Sequence, residues 1–143
     1  MHRLSFVFAA ISLACLSVAG SGGCSRTAGS TVSGTLVIDG KPAPAGIRID
    51  FEPQVEKASS STGYTDAQGR YTMMFNRDIA GVMPGESVVR LLILPDFAPD
   101  GVKPLADELQ RIRLPDSVSR NTTLRKTVKP GHNEIDITVE TAP

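Results

Sequence analysis

Near the C-terminus Ile135, Ile137 and Val139 alternate with Glu134, Asp136, Thr138 and Glu140. A period of two places successive side chains on opposite faces of an extended chain, so this stretch reads as a strand with one dry and one wet face. The same rule recurs upstream. Val32, Leu36 and Ile38 share one face, with Gly34 between them. Ile47, Ile49 and Phe51 alternate with Arg48, Asp50 and Glu52, charged side outward. Tyr71, Met73 and Phe75 oppose Thr72, Met74 and Asn76, and Leu124 and Val128 point inward from a stretch over 122–128. Glu86 to Leu94 (ESVVRLLIL) is apolar on both sides and short, which suits a central strand.

Turn chemistry separates these stretches: Asp39-Gly40, Asp66-Ala67-Gln68-Gly69, Pro84-Gly85 and Pro130-Gly131. Thirteen glycines and ten prolines leave few windows in which a helix could propagate. Residues 56–62, rich in Ser, read as a loop or frayed edge. The segment 96–121 is broken by Pro99, Pro104 and Pro115, and within it Leu105, Leu109 and Ile112 recur at helical spacing. The pattern predicts an all-β chain: a seven-strand, immunoglobulin-like or transthyretin-like β-sandwich over 31–140, with one short helix near 105–113.

Fifteen basic residues balance fifteen acidic ones, so no cationic surplus exists to release counterions from nucleic acid. Apolar residues at 41% and charged residues at 21% suit a globular domain with an aliphatic core. The N-terminus has another design. Arg3 precedes the uncharged run Leu4 to Ala19, and Gly20, Ser21, Gly22 and Gly23 lead to Cys24. Basic, apolar and small-residue zones in that order predict a secretory signal over 1–23. As a helix the run would reach about 24 Å, short of a hydrocarbon core of about 30 Å. An uncleaved anchor that recruits the glycines is the rival reading.

Ser21-Gly22-Gly23-Cys24 resembles the lipobox of bacterial lipoproteins, with Ser21 standing where Leu is usual. Cys15, after Ser12-Leu13-Ala14, is a second candidate. The resemblance implies cleavage before Cys24 and a lipid on its sulfur. A chain starting there has no second cysteine, so no internal disulfide protects the thiol in an oxidising compartment. Residues 24–30 then read as the lipidated cysteine and a small, polar tether.

Three ordered elements extend the resemblance. They are Val32-Ser33-Gly34-Thr35 with Asp39-Gly40-Lys41-Pro42; Thr65-Asp66-Ala67-Gln68-Gly69-Arg70-Tyr71 followed by Pro84-Gly85; and Val128-Lys129-Pro130-Gly131-His132-Asn133 before the last strand. Together they resemble the carboxypeptidase regulatory-like domain, a transthyretin-like sandwich. In particular they resemble the small bacterial lipoproteins built from a signal, a cysteine and one such domain. The resemblance implies a fold more than an activity.

Reactive constellations are sparse. His132 is the single histidine after the leader, too few for a zinc centre or a Ser-His-Asp triad, and no Gly-x-Ser-x-Gly elbow or phosphate loop occurs. The C-terminal Val139-Glu140-Thr141-Ala142-Pro143 differs from the Tyr-Arg-Gly-Ser ending of transthyretin-like hydrolases of purine breakdown. Asp66, Asp96, Asp100 and Asp107 are candidate calcium ligands without EF-hand spacing. Asn121-Thr122-Thr123 is a glycosylation sequon, and Lys41 with Asn133 raises a self-formed amide crosslink. No catalytic, cofactor or metal residue is assigned. The sequence reading is a non-enzymatic binding or structural module of the cell envelope. Cys24 lipid would hold it to the inner or outer membrane, facing periplasm or exterior, with an envelope protein or polysaccharide as partner. The alternatives are a hydrolase built on carboxylates such as Asp66 and Asp96, and a carbohydrate-binding module, for which Tyr64 and Tyr71 supply the few rings.

Overall fold

The computed structural model describes residues 29–94 and 106–141. The leader, Cys15, Cys24, most of the tether, Asp96, Asp100 and Leu105 lie outside the described residues. Nine strands and one helix follow in order: β1 Thr31–Ile38, β2 Lys41–Pro42, β3 Ile47–Pro53, β4 Ser61–Tyr64, β5 Arg70–Thr72, β6 Gly85–Ile93, α1 Ala106–Arg111, β7 Arg125–Val128, β8 His132–Glu134 and β9 Ile137–Val139. They form two sheets, one in the order β4-β3-β6-β7 and one built around β1. The chain is an all-β sandwich.

The expected count of seven becomes nine because the last lane is interrupted and the two-residue β2 is added. β8 and β9 both run parallel to β1 in one unbroken register, Val32 opposite Asn133 and Leu36 opposite Ile137. They are one lane with a break at Ile135-Asp136. On the other edge of β1 lie antiparallel β5, opposite Ser33 to Thr35, and further along the same edge the two-residue β2, opposite Val37 and Ile38. The break has a cause in Gly34. A Cβ there would lie 1.9 Å from the Ile135 carbonyl oxygen, so at the break the last strand leans its backbone over the face of the glycine. At the break the Asp136 side chain takes the Thr35 amide at 2.8 Å, and the Ile135 amide donates to Ser33. Tyr71, opposite Gly34 on β5, donates its phenol proton to the same Ile135 carbonyl.

Alternation places the core as expected. Val32, Leu36, Ile47, Ile49, Phe51, Met73, Val89, Leu91, Ile137 and Val139 are buried between the sheets. Ile135 is half-buried beside them. The Asp39-Gly40 turn forms a two-residue hairpin with both residues at positive φ, 49° and 74°, the geometry that matches strand twist. Among the described residues the helix ends at Arg111, two residues before the expected 113. It carries Leu109, fully buried, and Ile112 follows it against the core.

Two local expectations are corrected. Residues 61 and 62 are strand, not loop: Ser61 pairs with Phe51 and Thr62 with Asp50. The next residue, Gly63, has to be small because the β5 backbone lies against it, with the Thr72 carbonyl 2.7 Å from where its Cβ would be. The turn at 66–69 forms, but it carries the chain from β4 to β5 in the other sheet. An isolated bridge joins Thr62 of β4 to Met74, two residues past β5.

Candidate functional site

The outer face of β1 and β5 forms an open cleft of about 550 Å³. Gly34 and Tyr71 form part of its floor. Ser33 and Thr35 come from β1, Arg70 and Thr72 from β5, Tyr64 from the end of β4, and Glu134 from β8; Asp66 stands on the β4–β5 turn. The period-two rule explains the set. Odd-numbered residues of β1 face away from the core, and the parallel partner supplies Glu134 beside Ser33. The lining is therefore polar on every side except the tyrosine rings.

Most of its charge is already engaged. The Asp66 carboxylate accepts the Gln68 amide at 2.8 Å, the Arg70 amide at 2.9 Å and the Arg70 Nε at 3.0 Å. Slight desolvation raises its pKa, and these hydrogen bonds outweigh it, so Asp66 sits below the ordinary carboxylate value. Arg70 also donates to the Gln68 side chain at 3.2 Å. This lock fixes the turn and presents one guanidinium at the rim.

Behind Tyr64 runs a second network on the outer face of β3 and β4. Asp50 accepts Arg48 Nε at 2.9 Å and the Thr62 hydroxyl at 2.7 Å. Asp50 is expected outward and charged. It does face outward, but its side chain is only 12% exposed because Arg48 and Thr62 close over it. Burial raises the Tyr64 pKa, with Arg48 opposing and Asp50 reinforcing, which keeps the phenol neutral. Tyr71 is raised further by burial and by nearby Asp136. The cleft is thus lined by two neutral phenols together with hydroxyls, a guanidinium and two carboxylates. Those groups suit hydrogen bonding to a polar ligand.

The other candidates scatter. Asp107 lies in the first turn of α1, where a carboxylate favours the helix N-terminus. His132 is exposed and bonds the Thr31 hydroxyl at 3.1 Å. Asn121 is exposed, and its amide donates to Asp116. Among the described residues no three His, Cys, Asp or Glu side chains gather as a metal site would require. The amide crosslink is overturned by position. Lys41 pairs with Ile38 and Asn133 with Val32, six residues or about 20 Å apart along β1. Asn133 instead clasps the preceding loop, accepting the Lys129 amide at 2.8 Å and donating to its carbonyl at 2.7 Å.

No family model and no curated protein matches the chain. Among solved structures the chain is similar to the dioxygenase domain of a dioxygenase carbohydrate-binding protein fusion from the cellulolytic bacterium Streptomyces sp. SirexAA-E. The identity is 16%, the match covers 83% of this chain and 84% of that one, and the TM-score is 0.39. A likeness of that extent carries no weight for function.

The sequence reading missed the cleft. Ser33, Thr35 and Glu134 carry an outward signal in their alternation, but nothing local says that residues about a hundred positions apart lie side by side. Asp66 was singled out, and its role is to hold the turn.

Proposed function

We propose that this chain is a lipid-anchored envelope protein, a non-enzymatic module that binds a polar ligand in the cleft beside Tyr64. The observation that carries the reading is the sequence arrangement. An apolar leader ends in small residues and Cys24, and a sandwich begins seven residues later at β1. Its likeness to the carboxypeptidase regulatory-like lipoproteins supports the same reading. The cleft supports the binding half: rim hydroxyls, Arg70, Glu134 and one neutral phenol ring are the groups that recognise polyhydroxylated chains. That favours a polysaccharide over a protein partner. The hydrolase alternative has less support, because Asp66 is held ionised and bonded in its turn and so is unsuited to act as a general acid.

The test is a titration of the isotopically labelled chain with oligosaccharides prepared from the producing cell's envelope polysaccharide. Shifts are expected at the amides of Thr35, Arg70 and Thr72. Arg70→Ala should weaken binding about tenfold, the usual scale for losing a charged hydrogen bond. Shifts confined to other faces, or none, would contradict the cleft as the binding surface.

A further inference from the structure

Two large apolar side chains are exposed among the described residues, Val55 at 51% and Met83 at 38%. Single exposed apolar residues are ordinary. These two flank one turn. A Cβ built on Gly85 would meet Val55 Cγ2 at 3.8 Å, and one built on Gly29 would meet Pro84 at 2.8 Å and the Met83 Cα at 3.5 Å. Gly29 is also where the described chain begins. Ser30 is fully buried and fixed there by two backbone hydrogen bonds with Val82, 3.0 Å and 2.7 Å, and the Thr31 amide bonds Gly131 at 3.0 Å. The exit toward Cys24 is therefore pinned against Met83. From Gly29 back to Cys24 is five residues, a reach of at most about 18 Å.

Strand directions bring further groups to this end. β1, β4 and β6 start here and β3 ends here, so the loops 54–60, 75–84 and 129–131 surround the same point. They carry exposed Lys57, Arg77 and Lys129 against Glu56 and Asp78. Apolar side chains ringed by a small cationic excess suit an interface with phospholipid headgroups.

We propose that this end of the sandwich is a membrane-docking face, with Val55 and Met83 seated in the interfacial layer of the bilayer to which Cys24 is anchored. The inference rests on the lipid-anchor reading. The short tether holds the face within reach, and the side chains then fix orientation. The cleft is turned sideways, clear of the bilayer.

The chain contains no Trp, so single Trp variants report without background. The chain beginning at Cys24 is coupled through that thiol to a maleimide phospholipid in phosphatidylcholine–phosphatidylglycerol vesicles, with and without brominated acyl chains. Val55→Trp and Met83→Trp emission should fall about twofold in brominated vesicles, as for a side chain at the headgroup–acyl boundary. Lys41→Trp, at the opposite end, should not change. Adding Met83→Asp to Val55→Trp should abolish the quenching. Equal quenching at all three positions, or none, overturns docking. So does burial of Val55 and Met83 by a second copy, seen as a dimer in sedimentation without vesicles. The lipid is supplied chemically, so these outcomes do not depend on whether the cell lipidates Cys24.

Discussion

At Gly34 the fold depends on the absence of a single methyl group. The Ile135 carbonyl occupies the space a Cβ would need, and Tyr71 secures that carbonyl from β5. Gly34→Ala should therefore cost about 3 kcal/mol, the upper range for overpacking a site that cannot relax. Urea unfolding checks this, and the Ile135 amide should lose its exchange protection first. Asp39 makes a different tie, accepting the amide and hydroxyl of Thr141, each at 2.8 Å, and so binding the chain after β9 to the first hairpin. The backbone bond from Thr141 and then its hydroxyl lower the Asp39 pKa, and Asp66 is lowered as well. Both are depressed in the folded chain. Their stabilisation is complete above the unfolded value of about 4 and fades as pH falls through the lower folded values. Unfolding midpoints should be insensitive to these groups between pH 7 and 5 and should drop below pH 4. Asp39→Asn should flatten that acid limb.

Among the elements, those with strict alternation were legible in the sequence and those defined by long-range neighbours were not. β3 and the β9 stretch follow their alternation because each has one face on the core, and β6, apolar on both sides, lies inside its sheet between β3 and β7. The pattern at Gly34 was legible as a close approach, but the approaching residue was not, since it comes from the other end of the chain. β4 was obscured because it is built from small residues that read as loop: Ser61 is fully buried, and Gly63 lies against the β5 backbone. The break between β8 and β9 was hidden because Ile135 keeps the alternation while Asp136 substitutes its carboxylate for a backbone acceptor. α1 was legible from helical spacing, although six residues cannot sustain a helix alone. Its stability must come from Leu109 in the core. Leu109→Ala should cost about 3 kcal/mol by cavity formation. Because Leu91 and Val89 amides bond the segment after α1, at Val118 and Leu124, their exchange should quicken as well.

For the whole molecule, the first and last described strands pair in parallel within one sheet, with β1 at its centre, so the two ends of the sandwich close on each other. The point where the chain leaves toward Cys24 is fixed at one end, and the polar cleft lies on an adjacent face. Such a layout suits a domain held at a surface while its side remains open to ligand. The anchor is the part of this account on which localisation, orientation and partner all depend. Intact mass spectrometry of the protein extracted from its native membranes measures it directly. The expected species is a chain beginning at Cys24 and heavier than the polypeptide by a diacylglyceryl group, with or without a further acyl chain. A free Cys24 thiol, or a chain beginning at any other residue, would contradict it.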